Sequence, residues 1–180
     1  MLKIIVPGDE FFDEETEQFT TVGDVVLELE HSLVSLSKWE SEFEKAFLGP
    51  AEKTSEEVIG YVKAMTLTPD VPSEVFSRLT AQNFNDVNSY IESKQSATTF
   101  GVMPETKGKG EIVTGELIYY WLVAFQIPFE CEEWHLNRLF SLIRICNIKS
   151  GKQKKMSKTQ IAQRNRELNA QRREQLGTAG

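Results

Sequence analysis

Residues 111–147 of the chain read EIVTGELIYYWLVAFQIPFECEEWHLNRLFSLIRICN, and this stretch predicts two helices separated by Pro128. Residues 111–126 are apolar on almost every side of a helix, which is typical of a helix at the centre of a core. Residues 132–147 carry apolar side chains at helical spacing, so the second helix is expected to pack one face on that core. The sequence therefore predicts a mainly α fold.

Shorter helices are predicted before this stretch. Ser37 is expected to cap a helix that ends at residues 49–50 and carries an aromatic stripe of Trp39, Phe43 and Phe47. Thr54 and Glu57 have the spacing of a capping box, which predicts the start of another helix. Asn83 or Asn85 is expected to cap one more.

The N-terminus has a different pattern. Leu2–Val6 reads as a short strand. Residues 25–36 alternate between apolar and polar positions, which favours a half-buried strand or hairpin. The expected fold is thus α+β, mainly α, in three parts: an N-terminal β element at residues 1–36, a helical body at 37–148 and a basic C-terminal helical arm at 149–180.

Charge is divided unevenly between the body and this arm. From Lys149 onward there are nine basic and two acidic residues, a charge of +7. The preceding residues contain 11 basic and 25 acidic side chains, a charge of −14, and the whole chain carries −7. Such asymmetry concerns partners rather than fold. An acidic body repels nucleic acid, whereas the arm could bind nucleic acid, an acidic protein surface or the body of a neighbouring copy.

The arm itself is predicted to form a helix over residues 157–175. Its apolar positions are few: Ile161 and Leu168, with the weaker Ala162 and Ala170. So narrow a stripe does not hold a helix against a core, and an isolated helix of this length is marginal in water. We expect the arm to become ordered on a partner.

Nothing in the sequence predicts export or membrane insertion. The apolar run at residues 2–6 is too short for a signal peptide. The most apolar stretch, residues 117–129, is interrupted by Gln126 and Pro128, and a membrane span needs about 20 apolar residues. The two cysteines, Cys131 and Cys146, are expected to be reduced thiols of a cytoplasmic protein.

The sequence carries no recognisable catalytic, cofactor-binding or metal-binding motif. The one group of metal-ligand residue types is Cys131, Glu132, Glu133 and His135. Zinc needs three or four ligands, and the other histidine, His31, is distant in sequence, while Cys146 would lie roughly 22 Å further along a straight helix. We therefore expect a non-enzymatic protein that acts by binding other proteins, without a cofactor or metal.

The predicted helix at residues 132–147 offers a candidate contact face. Its core face comprises Leu136, Leu139, Phe140, Ile143 and Cys146. The opposite face comprises Trp134, Arg138, Ser141 and Ile145. Aromatic residues and arginine are enriched at binding hot spots, so this second face is a candidate partner surface unless another element covers it. The stripe of Trp39 and Phe43 is a further candidate, although such stripes more often belong to a core.

Three sequence blocks resemble a known family. They are LVSLSKWES at residues 33–41, WHLNRL and IRICN within residues 134–147, and MSKT followed by RNRELNAQRR within residues 156–173. Together they resemble the tail assembly chaperones of long-tailed, siphovirus-like bacteriophages, over roughly two-thirds of the chain.

The resemblance implies a role in virion assembly in the host cell cytoplasm. Such chaperones coat the long helical tape measure protein, keep it soluble and help the major tail protein polymerise around it. Our hypothesis is that Trp134, Arg138 and Ile145, with Trp39 and Phe43, contact the client or a neighbouring copy in a homo-oligomer. The arm, including Arg172 and Arg173, would dock on an acidic body or recruit a tail subunit.

Two alternatives remain open at the level of sequence. The protein could be a structural component of the virion neck, baseplate or tail, with the arm gripping an adjacent subunit. It could also be a nucleic-acid-binding regulator that uses the arm, but the arm lacks the aromatic residues typical of single-strand binding, and the acidic body opposes nucleic acid.

Overall fold

The computed structural model describes residues 1–13, 18–100 and 111–150, together with Ala162, Gln163, Arg166 and Asn169. Within these residues the fold is mixed α+β and mainly α, which confirms the predicted class. Met1–Asn147 forms one compact unit. The elements in chain order are β1 (Leu2–Val6), β2 (Asp9–Asp13), β3 (Gln18–Val22), β4 (Val25–Leu29), α1 (Leu33–Phe43), α2 (Ser55–Met65), α3 (Ser73–Ser77), α4 (Ala81–Glu92), α5 (Gly115–Ala124), the 3-10 helix η1 (Phe129–Glu133) and α6 (Leu136–Ser150).

The chain begins with two antiparallel strand pairs. β1 pairs with β4, and β2 pairs with β3. Side chains on the first pair alternate between the two faces, as a strand requires. Ile5 and Val26, which lie opposite each other, are exposed. The buried face consists of Ile4, Val6, Leu27 and Leu29. The predicted strand at Leu2–Val6 is confirmed.

The strand predicted for residues 25–36 is wrong beyond Leu29. A helix, α1, begins four residues later because Ser32 and Ser35 form a capping box. The Ser32 Oγ accepts a hydrogen bond from the Ser35 N–H at 3.2 Å, and the Ser35 Oγ accepts one from the Ser32 N–H at 2.9 Å. The predicted cap at Ser37 is wrong for the same reason, since that residue lies inside α1.

The other two predicted helix caps have opposite outcomes. The capping box of Thr54 and Glu57 is confirmed at the start of α2. The Thr54 Oγ1 accepts the Glu57 N–H at 3.2 Å, and the Glu57 Oε2 accepts the Thr54 N–H at 2.9 Å. The predicted caps at Asn83 and Asn85 are wrong, because α4 begins after Thr80 and both asparagines lie within it. The Asn83 Oδ1 instead closes the Thr80 capping box by accepting the Thr80 N–H at 3.0 Å.

Two groups of buried side chains hold the compact unit together, and α1 contributes to both. The first core contains the sheet residues named above with Trp39, Tyr61, Val62, Met65, Val75, Phe76 and Val87. The second core contains Leu33, Leu36, Ile118, Leu122, Ile127, Cys131, Leu136, Leu139 and Ile143. The two faces of α1 thus join the sheet and α2 on one side to α5, η1 and α6 on the other.

The prediction that residues 111–126 form a central helix is wrong in length and in position. α5 covers only Gly115–Ala124, begins after Thr114, and fully buries only Ile118 and Leu122 among its large side chains. Tyr120 and Val123 are 65% and 61% exposed. Within the described part of the chain, too few elements surround α5 to cover all sides of an apolar helix, so part of its apolar surface is exposed.

The helix predicted for residues 132–147 is divided in two. η1 begins after Pro128, and α6 starts only at Leu136. Trp134 lies between them in an extended conformation, with φ −69° and ψ 155°. The predicted core face is confirmed for Leu136, Leu139 and Ile143, which are buried.

Candidate protein-binding surface

The structure brings Trp134 and Arg138 together, but not as members of one helical stripe. Trp134 precedes α6, and the Arg138 guanidinium lies 4.0 Å from the centre of its indole ring. A guanidinium at this distance makes a cation–π contact. Ser141 donates its hydroxyl to the Asn137 carbonyl oxygen at 2.9 Å, within α6. Arg138 is exposed, whereas Trp134, Ser141 and Ile145 are half-buried.

A groove with aromatic walls runs between α5 and α6. Its volume is about 420 Å³. The lining residues are Trp121, Phe125, Phe140, Ile143, Arg144 and Asn147. Phe140, predicted on the core face, is half-buried: it packs against the second core and also lines this groove. A groove with aromatic walls and one arginine is suited to bind a partner segment that has an apolar side chain next to an acidic one.

A second groove adjoins the first on the other side of α6. Its volume is about 490 Å³, and Phe140 and Arg144 line both grooves. The Arg144 guanidinium lies 4.1 Å from the centre of the Phe100 ring. The remaining lining residues are Lys94, Ser96, Thr98, Thr99, Asn137 and Ser141. We call the two grooves the α6 surface.

Sequence reasoning missed most of the α6 surface. Trp121, Phe125 and Arg144 were not selected, because two of them lie on a helix that we expected to be buried all round. Arg144 follows Phe140 by one helical turn, and this i, i+4 pair of an aromatic and a cation is the signal that could have identified the surface.

The aromatic stripe of Trp39 and Phe43, the other predicted contact surface, belongs mainly to the first core. Trp39 is 1% exposed, and its indole N–H donates to the Glu57 carbonyl oxygen at 2.7 Å. The expectation that Trp39 contacts a partner is therefore corrected, since its side chain is already surrounded. Phe43 is half-buried and packs against α2 at Gly60. Arg172 and Arg173 lie outside the described residues.

The two histidines, distant in sequence, lie in contact. The imidazole rings of His31 and His135 are 5.1 Å apart between centres, and both residues are buried. The His31 Nδ1 lies 2.6 Å from the Tyr61 hydroxyl oxygen, and the His135 Nε2 lies 3.0 Å from the Tyr90 carbonyl oxygen. Burial lowers the pKa of His31 to about 4, and the neighbouring His135 lowers it as well. Burial also lowers the pKa of His135.

This histidine pair does not extend into a metal site. Among the described residues no three histidine, cysteine, aspartate or glutamate side chains are placed to hold one ion. Cys131 is buried, and its burial raises the pKa of the thiol, which keeps the sulfur protonated. The pair instead contributes neutral, packed polar groups that connect β4 and α2 to the start of α6.

No helix in the described part of the chain is long and apolar enough to cross a membrane. No protein-family model, curated protein sequence or solved structure matches this chain. The fold and surface thus define a mainly helical α+β protein with an aromatic, partly cationic surface on α6.

Proposed function

We propose that this protein is a non-enzymatic tail assembly chaperone of a long-tailed bacteriophage. It would bind the tape measure protein in the host cell cytoplasm, keep that client soluble and help recruit tail tube subunits. The observation that carries the proposal is the α6 surface, where two adjoining grooves share an aromatic side chain and a cation. An elongated helical client that is apolar in places needs such a surface along its length.

The grooves suit a helical segment better than a small molecule. Amphipathic helices are recognised by laying their apolar face into an apolar groove, with anchors one or two turns apart. Phe140 and Arg144 stand one turn apart between the two grooves. The Trp134–Arg138 pair near the start of α6 is a second candidate contact. Many weakly bound copies on one client would add their affinities through multivalency.

The proposed client contact is tested by filling the α5–α6 groove with a bulky side chain, rather than by truncating the side chains that line it. Asn147 is exposed on the rim of the α5–α6 groove, so Asn147→Trp should fill that groove without disturbing the core. Asn88→Trp, at an exposed position of α4, is the matched control. On co-expression with the tape measure protein, Asn147→Trp should leave the client insoluble and Asn88→Trp should keep it soluble. Equal client solubility with both variants would remove the α5–α6 groove from the proposal.

The chaperone role is separated from a structural role by mass spectrometry of purified particles beside the infected-cell lysate. A chaperone is expected in the lysate and absent from the particle, because it leaves before the tail is complete. Presence in the particle at fixed copy number would instead assign the chain to the neck, baseplate or tail.

A further inference from the structure

An exposed apolar patch lies on the outer side of α5 and η1, away from the α6 surface residues. Tyr120, Val123 and Phe129 are 65%, 61% and 53% exposed. Tyr120 and Val123 are three residues apart and so are neighbours on α5. The rings of Tyr119 and Phe129 lie 6.4 Å apart between centres, which connects α5 to η1. We call these four residues the α5–η1 patch.

The rim of the α5–η1 patch is acidic. Glu116 precedes Tyr120 by one turn of α5, and Glu130 follows Phe129 in η1; both carboxylates are exposed. Glu132 accepts a hydrogen bond from the Tyr119 hydroxyl at 2.9 Å. An apolar surface surrounded by carboxylates is complementary to an apolar stripe surrounded by cations.

The chain contains a segment of that complementary kind. The arm carries +7, and its predicted helix over residues 157–175 places Ile161 and Leu168 two turns apart on one side. Arg172 falls on the same side of that helix and Arg164 beside it. Ala162, Gln163, Arg166 and Asn169 are helical, in agreement with the predicted helix.

We propose that the arm of one copy docks on the α5–η1 patch of a second copy. Ile161 and Leu168 cover the exposed aromatic side chains, and the arm arginines lie against Glu116 and Glu130. The described part of the same chain leaves the patch more than half exposed at three of its four residues, so the site is open to a second molecule. Docking also offsets the repulsion between two bodies of −14 each.

The proposal is tested with two charge-reversed full-length proteins that are analysed alone and mixed. The patch variant is Glu116→Lys with Glu130→Lys, and the arm variant is Arg164→Glu with Arg172→Glu. Sedimentation equilibrium of the wild type without any client should show self-association that weakens with added salt. Each variant alone should self-associate about tenfold or more weakly, because attraction between the paired charges becomes repulsion.

Mixing the two variants distinguishes docking between copies from docking within one chain. In the mixture, the basic arm of the patch variant meets an unaltered acidic patch, and the reversed arm meets the reversed patch. A heterodimer of near wild-type affinity is therefore expected. Failure of the mixture to associate, or a wild type that stays monomeric at all concentrations, would overturn the proposal.

A control keeps this experiment separate from the tail-assembly role. Glu52→Lys changes an exposed carboxylate in the loop before α2, and it should leave self-association unchanged. Circular dichroism checks that every variant is folded. Because no client is present, a negative result here leaves the proposed tape measure contact standing, and a positive result does not depend on it.

Discussion

At the scale of single residues, the histidine pair is the feature with the most direct consequence. His31 is 2% exposed and is packed between the rings of Tyr61 and His135. A buried imidazole without a carboxylate partner is held neutral, because the charged form would lose its hydration. The pKa of His31 accordingly falls from the ordinary 6.5 to about 4 in the folded chain.

This lowered pKa predicts a loss of stability in mild acid. Between pH 6.5 and 4 the unfolded chain binds the His31 proton and the folded chain does not, so the free energy of unfolding falls as the pH drops through that range. From the pKa difference the loss approaches ~3 kcal/mol at pH 4. Above pH 7 both states are neutral at His31 and the residue contributes no pH dependence.

Urea unfolding at several pH values measures this effect against two variants. His31→Gln should reduce the pH dependence of the unfolding free energy, and the dependence that remains includes that of His135, whose pKa burial also lowers. Tyr61→Phe should keep the pH dependence of the wild type, because the buried imidazole remains. Parallel curves for the wild type and His31→Gln would show that His31 does not control the acid response.

At the scale of elements, one buried carboxylate joins α1 to the elements around it. Glu40 on α1 is 9% exposed; its Oε1 accepts the Phe47 N–H at 2.8 Å and its Oε2 accepts the Gly115 N–H at 2.6 Å. A Cβ at Gly115 would lie 2.7 Å from the Ser37 Oγ and 3.1 Å from the Glu40 Oε2. Glycine therefore lets the start of α5 approach α1 without displacing the Ser37 hydroxyl or the Glu40 carboxylate.

Replacing that carboxylate by its amide should weaken the link between α1 and α5. Glu40→Gln exchanges one acceptor oxygen for an NH₂ group, so one buried backbone N–H loses its partner, at a cost of ~2 kcal/mol. Glu42→Gln, at an exposed position of the same helix, is the matched control and should change stability little. Both are measured as free energies of unfolding in urea. A Glu40→Gln protein as stable as the control would mean that the two hydrogen bonds make no net contribution to the free energy of unfolding.

At the scale of the whole molecule, the buried hydrophobic cores of the described residues lie within one compact unit. Every buried hydrophobic side chain of the two cores lies between Ile4 and Ile143, inside the compact unit Met1–Asn147. A chain that ends at Ser150 is therefore expected to keep the unfolding free energy of the full chain within ~0.5 kcal/mol, as surface changes usually do. The unfolding free energies of the two proteins are compared by urea titration, at a protein concentration low enough to avoid self-association. Loss of a single cooperative transition on truncation would show that the arm helps to hold the body together.

Periodicity and composition, which are local properties of the chain, determine several features without a structure. They indicate the mainly α class, the strand at Leu2–Val6, the cap at Thr54, the core face of α6 and the division of charge between body and arm. Each depends on residues within a few positions of one another or on simple counting. The predicted element boundaries are wrong where two local patterns compete. At residues 25–36, the alternation of a strand overlaps with leucines at helical spacing. The cap at Ser32 favours the helix there.

The tertiary structure alone decides which residues meet and which remain exposed. A periodic pattern shows that a helix has an apolar face, but not how many neighbours cover it, so the exposure of Tyr120 and Val123 could not be predicted. The contact of His31 with His135 depends on long-range packing. The same holds for Trp39, which its neighbours bury, and for Trp134, which a break before α6 leaves beside Arg138. Because contact between distant segments depends on how all elements pack together, the candidate surfaces of this protein follow from its fold and not from any one stretch of its sequence.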